Sequence, residues 1–177
     1  PARQTSTTDH PPTAMTAAEL TLIDNHVVVA CTVDEAIQLL DGPDQIASSF
    51  GAVREETSTV IRSSRGDCVL ERLSERWLPT DQVLTVDGRI GDVAVHAHLT
   101  LMPVAHSISN GHVQPGTRIW VHAELGPGSQ TRRAARIITA AFTHGLEHLR
   151  LKLDRAGLSD APLSSRNGDG DGLSSTS

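Results

Sequence analysis

The chain has 177 residues, a formal charge of −6 and 2% aromatic residues: two Phe, two Trp and no Tyr. That length points to one domain, the acidic balance lacks the basic footprint of nucleic-acid or anionic-lipid binding, and the scarcity of rings leaves single strands nothing to stack on. No apolar run approaches the ~18 residues of a membrane span, no secretory signal is visible, and two cysteines, Cys31 and Cys68, cannot build a disulfide scaffold. The expectation is a cytoplasmic protein with an aliphatic core.

Residues 1–20 are rich in Thr, Ala and Pro and read as a disordered N-terminal tail. His26 to Thr32, with Val27, Val28 and Val29, reads as a buried strand. A short helix is expected over Asp34 to Leu40, and a second opens on Pro43 and ends near Phe50 and Gly51. Strand candidates follow near 53–62, 67–76 and 81–87, with turn chemistry at Gly66-Asp67 and Asp87-Gly88. Residues 92–104 alternate cleanly: Val93, Val95, Ala97, Leu99 and Leu101 against Ala94, His96, His98, Thr100 and Met102. A polar loop over 105–115, holding Asn110-Gly111, leads to a second alternating run. There Thr117, Ile119, Val121, Ala123 and Leu125 oppose Arg118, Trp120, His122 and Glu124. The patterning defines six strands in all.

Gly126, Pro127 and Gly128 break the last strand, and a helix is expected from about Ser129 to Ala156. Ile138, Phe142, Leu146, Leu149 and Leu153 recur three and four apart and form one apolar stripe. At 1.5 Å per residue the helix is roughly 40 Å long, enough to cross a small sheet. Residues 157–177 are mostly Gly, Ser, Asp and Asn and read as a disordered C-terminal tail, leaving 21–156 as the folded domain. The two tails carry five acids and two bases, so 21–156 holds 16 acids and 13 bases, a charge of −3.

The order of elements is strand, two short helices, antiparallel strands and one long C-terminal helix, an α+β arrangement in which the helix covers one sheet face. This resembles the START-like helix-grip superfamily, which includes polyketide cyclase/dehydrase and lipid-transfer proteins. The resemblance covers about residues 24–156. It rests on the opening strand running into Val33-Asp34-Glu35-Ala36-Ile37, on Leu99-Thr100-Leu101-Met102-Pro103, on Gly116-Thr117-Arg118-Ile119 and on the terminal helix. It implies a curved antiparallel sheet wrapped around that helix, with a small apolar ligand held between them. On that reading Val95, Ala97, Leu99, Ile119, Val121 and Ala123 face Ile138, Phe142 and Leu146, and these nine residues are the expected ligand contacts. The small Ala97 and Ala123 would leave room for the ligand; a filled aliphatic core is the alternative. The implied function is binding or carriage of a hydrophobic small molecule or lipid, without a cofactor. The alternatives are a cyclase- or dehydratase-type enzyme on the same fold, or an interaction domain that docks a partner protein.

Several constellations carry chemistry. With residue 104 opposite 116, His98 faces His122 and His96 faces Glu124. Such a set could hold zinc or relay protons, but it lies opposite the aliphatic face, where a solvated sheet surface also explains it. His144-Gly145-Leu146-Glu147-His148 matches the H-x-x-E-H pattern of zinc peptidases, yet His144 lies off the apolar stripe and no distant ligand is evident. Asn167, Asp169, Asp171 and Gly172 imitate the first half of a calcium loop, but a solvated tail is the reading the composition supports. No metal centre is therefore expected. Arg132, Arg133 and Arg136 crowd the start of the long helix, where they could grip an anion or simply pair with surface acids. The cysteines read as small buried hydrophobes. In the 67–76 candidate, Glu71 and Glu75 fall on one face and Arg72 and Arg76 on the other. Either that strand is wet on both sides, or part of the cavity is polar.

Overall fold

A computed structural model describes residues 19–107 and 113–159. Seven strands form one antiparallel sheet: β1 (Thr21–Val29), β2 (Ala52–Arg54), β3 (Ser58–Ser63), β4 (Gly66–Leu78), β5 (Val83–Ile90), β6 (Val93–Ser107) and β7 (Val113–Leu125). Their spatial order is β1-β7-β6-β5-β4-β3-β2. Two short helices, α1 (Val33–Leu40) and α2 (Pro43–Ser49), follow β1, and a long helix, α3 (Thr131–Ser159), closes the domain. The α+β helix-on-sheet arrangement expected from the patterning is present.

Local chemistry fixes the short elements. Thr32 and Glu35 form a reciprocal capping box at the start of α1, the Glu35 carboxylate accepting the Thr32 N–H at 2.6 Å. That bond holds the Glu35 carboxyl below its usual range. Pro43 occupies the first turn of α2, where its missing N–H costs nothing. At the start of α3, the Asp92 carboxylate accepts the Ser129 N–H at 2.6 Å.

The structure departs from expectation in four places. β1 begins at Thr21, five residues before His26, and pairs along its length with β7. The 53–62 candidate is two strands, β2 and β3, split by a turn in which the Glu55 N–H donates to the Ser58 carbonyl. This division raises the count from six to seven. Asp87-Gly88 is no turn: both residues lie inside β5, where Gly88 opposes Arg72 on one side and Val95 on the other. A Cβ at Gly88 would collide with the Glu71 carbonyl and the Leu70 side chain, so glycine permits a close strand approach there. Finally, β6 and β7 run to Ser107 and from Val113, shortening the expected 105–115 loop; Asn110-Gly111 lies outside the described residues. So do residues 1–18 and 160–177, and with them the calcium-like run and most of both expected tails.

The sheet's inner face and the stripe of α3 bury two connected aliphatic clusters. One gathers Val29, Leu40, Leu101, Ile119, Leu149 and Leu153; the other gathers Ile23, Val93, Val95, Ala123, Leu125 and Ile138. Each large side chain fully buried this way contributes about 1.5–3 kcal/mol. Phe142 and Val86 pack against both clusters, so they stand where the two meet. No helix among the described residues is long and apolar enough to cross a membrane.

Candidate ligand cavity

Where the clusters meet, the core is not filled. A cavity of about 140 Å³ lies between the sheet and α3, with α2 forming one wall. Ala97, Leu99 and Val121 line it from β6 and β7, and Ile138, Ala141 and Phe142 line it from α3. Leu84 and Val86 add β5, and Ile46 and Phe50 add the wall at α2. The Phe50 and Phe142 rings meet edge to face at 5.9 Å. Phe50 reaches this position because residue 145 is glycine; a Cβ there would penetrate the Phe50 ring.

Of the nine residues expected to contact a ligand, Ala97, Leu99, Val121, Ile138 and Phe142 line the cavity. Val95, Ile119, Ala123 and Leu146 are on the same inner layer but are buried in the filled core. Ala97 does sit opposite Ala123. The space opens on the Ala97 side, toward β5 and β4, while Ala123 is packed with Ile23 and Ile138.

Sequence reasoning left open a polar part of the cavity at the 67–76 strand candidate but did not place the residues that form it. Arg54 of β2 and Arg72 and Glu75 of β4 all line it. Period-two alternation places Arg72 and Glu75 on opposite faces, but β4 carries a register shift between Arg72 and Ser74 that puts Leu73 out into solvent. An extra residue in a strand inverts the facing of everything after it. Arg72 and Glu75 therefore both point inward, while Glu71, opposite Arg89, and Arg76, opposite Thr85, belong to the outer face. One signal was available: Leu70 and Trp77, both packed inward, are an odd number of residues apart.

The geometry of this end is specific. Glu75 Oε1 accepts from Arg54 Nη1 at 2.6 Å, and Glu75 Oε2 faces Arg72 Nη1 at 3.6 Å. The Arg72, Glu75 and Arg54 side chains are only 12%, 18% and 23% exposed. Arg54 Nε also pairs at 2.7 Å with Asp44 of α2, whose side chain is 84% exposed, so this is the end of the cavity nearest solvent. Arg72 Nη2 donates to the Glu55 carbonyl and, at 2.9 Å, to that of Glu56. Arg72 Nε is buried and has no hydrogen-bond partner. Leaving a buried donor unmatched costs about 1–3 kcal/mol.

No family model and no curated protein matches the chain. Solved structures do. The aromatase/cyclase Zhui from a Streptomyces species superposes with a TM-score of 0.57 at 8% identity, covering 77% of this chain and 95% of that one. Norcoclaurine synthase from Thalictrum flavum, solved in complex with dopamine and hydroxybenzaldehyde, gives 0.52 at 9% identity over 90% and 98%. XoxI from Bacillus cereus gives 0.53 at 9% identity over 75% and 94%. The chain has the START-like helix-grip fold. At these identities the likeness is one of architecture, that of the antiparallel sheet, the two early helices and the long C-terminal helix described above.

The outer face of the helix-grip sheet carries the histidines. The expected register holds, with Val104 opposite Gly116, His98 opposite His122 and His96 opposite Glu124. His122 Nδ1 lies 2.6 Å from Asp24 Oδ1, and its Nε2 lies 3.3 Å from Glu124. Burial alone would lower the His122 pKa, but the hydrogen bonds to Asp24 and Glu124 raise it overall. His98 is lowered, first by burial and then by the neighbouring His122 and His96. Its ring lies 4.9 Å from His122 and meets Trp120 edge-on at 5.0 Å. His96 is 2.6 Å from Asp87, which also accepts from the Ser74 hydroxyl at 2.8 Å. The set is a hydrogen-bonded surface lattice. Among the described residues, no three His, Cys, Asp or Glu side chains converge as metal ligands.

Other motifs resolve into structural roles. His144 and His148 are exposed on α3, and Glu147 is held by Arg150 at 2.6 Å. Arg133 reaches the Asp67 carbonyl at 3.4 Å, and Arg132 and Arg136 are exposed. Burial pushes both cysteine thiols up to about 11; neighbouring carboxylates add to this at Cys31, while Arg133 partly opposes it at Cys68. Neither thiol is placed to act as a nucleophile at neutral pH.

Proposed function

We propose that this helix-grip chain binds or carries a small hydrophobic molecule in the cavity between its sheet and α3. The observation that carries the reading is the gap itself: about 140 Å³, lined mainly by aliphatic and phenyl side chains, at the junction of two otherwise filled clusters. A gap of this volume and apolar lining accommodates a small hydrophobic body such as a single ring or a short aliphatic chain. The one-ring molecules in the norcoclaurine synthase complex are of this size class.

The test is native mass spectrometry of the purified protein, together with thermal shift against small aromatic and short-chain aliphatic compounds. Co-purifying ligand or stabilisation by members of the panel is the expected outcome. Absence of both would overturn the reading.

A second reading, a cyclase- or dehydratase-type enzyme, draws support from the acid and bases at the cavity's polar end. Against it, both Glu75 oxygens already face guanidinium groups, so proton transfer would require the ligand to break one of those pairs. An interaction domain has less support. Trp120 is half-buried among histidine rings, and the exposed Leu20 and Leu22 lie at or just before β1, remote along the sheet from Val53 and Val69 on β2 and β4. Val53 and Val69 share one row with the half-buried Val60, a narrow apolar strip at the other end of the sheet.

A further inference from the structure

We infer that α2 is the gate of the cavity: it swings out on hinges at Asp41-Gly42 and Gly51 to admit the ligand, and the Asp44–Arg54 ion pair latches it shut. This inference rests on the reading of the cavity as a ligand site and adds the route by which the site fills.

α2 is a lightly held wall. The sheet walls are joined by antiparallel pairing from β4 through β7, and the stripe of α3 is buried in both clusters. α2 has seven residues, fewer than the ~12–15 a helix needs to persist in water by itself, and no side chain caps its N-terminus. Pro43, Ile46, Ala47 and Phe50 bring it to the cavity. Ile46 is 2% exposed and Phe50 rests on Gly145 and Phe142, so these two side chains seat the helix. Short elements with few buried side chains open locally at less cost than the core.

Both ends of α2 have backbone suited to turning. Asp41, at φ 39°, and Gly42, at φ 96° and ψ −177°, join it to α1, and the Gly42 conformation is essentially reserved for glycine. Gly51, at φ 68°, follows it. Hinges are a few residues at element ends that absorb changes of φ and ψ. Here they stand on fixed supports. α1 is held by its capping box and by the fully buried Ala36 and Leu40. The Gly51 carbonyl accepts the Arg62 N–H of β3 at 3.2 Å.

The latch has one fixed half and one moving half. Glu75 holds Arg54 from the sheet side at 2.6 Å, and Arg54 Nε meets Asp44 Oδ1 at 2.7 Å. Asp44 rides on α2 with its side chain 84% exposed. An exposed ion pair shifts an equilibrium only a few-fold, which biases a gate toward closure without locking it. Gln45 Oε1, 3.5 Å from Lys152 Nζ, adds a second tie to α3.

The experiment is NMR exchange spectroscopy of the full chain with toluene, together with amide hydrogen exchange. Asp44→Asn should raise the toluene association and dissociation rates together, by about threefold, and leave the dissociation constant within about twofold. The Ile46 and Phe50 amides should exchange faster by the same factor, with β6, β7 and α3 unchanged. Wild-type protein should show the same paired rise in toluene rates when added salt screens the latch. Toluene rates unmoved by the variant and by salt, or a rise in the dissociation rate alone, overturn the gate and leave the cavity reading standing. Failure of toluene to bind overturns both. The salt comparison on wild-type protein stands by itself if the variant fails to fold.

Discussion

The two faces of the sheet carry similar side chains and put them to different ends. Outside, on β6 and β7, imidazoles and carboxylates lie in regular register, and His122 spends both ring nitrogens on Asp24 and Glu124. Inside, on β2 and β4, two arginines share one glutamate beside an aliphatic cavity, and one donor is left unmatched. The outer lattice pairs His96 and His122 with carboxylates, and His98 joins it through ring contacts. The inner set is packed beside the aliphatic cavity and keeps one buried donor unmatched. Polar residues at a ligand site are distinguished by what they leave unsatisfied, since a structural network tends to close on itself.

The largest expected effect falls on the inner set. Glu75→Ala leaves Arg54 and Arg72 facing each other without their shared carboxylate, and should cost about 3 kcal/mol in chemical denaturation. A loss below 0.5 kcal/mol would mean that water already neutralises the two arginines. Next is Gly145→Ala, which drives a methyl into the Phe50 ring. Overpacking of this kind costs about 1–3 kcal/mol. The double variant with Phe50→Ala should recover part of that loss; strictly additive losses would show that the two residues do not share one space.

On the outer face the effects are smaller and depend on pH. Asp24→Asn should cost about 1 kcal/mol. His122 is raised in the folded state, so its pairing stabilises the fold at pH below the unfolded value and is lost as pH rises through the raised folded value. His98 is lowered and behaves oppositely, favouring the fold above its unfolded value and losing that contribution as pH falls through the lowered folded value. Nitrogen-15 spectra of the imidazoles should therefore show His122 titrating at higher pH than His98, and the reverse order would break the contrast between the two faces. The smallest effect belongs to Leu73, exposed at the register shift. Leu73→Ser should change stability by no more than about 0.5 kcal/mol.

These same two regions show what could be read before the structure. Wherever period two runs unbroken, the sequence sufficed: the pairing of residues 104 and 116 located His96, His98 and His122, and the α3 stripe gave the helix its buried side. The fold followed from element order, because one long amphipathic helix and one sheet have few ways to cover each other. The cavity was half legible, since Ala97, Leu99, Val121, Ile138 and Phe142 are apolar residues on regular elements. Its polar end was not, because a single extra residue at Leu73 turns Glu75 inward and no local composition announces it. The wall at α2 was hidden for another reason: Phe50 is brought there by a tertiary contact with Gly145, ninety-five residues along the chain.

The central claim is that the gap between sheet and helix is a ligand site, and methyl-labelled NMR during titration with toluene tests it directly. Shifts concentrated on Leu84, Val86, Leu99 and Val121, fading toward Leu125 and Leu153, are the expected result. Uniformly small shifts, or shifts centred on Leu20 and Leu22 at the sheet edge, would contradict it.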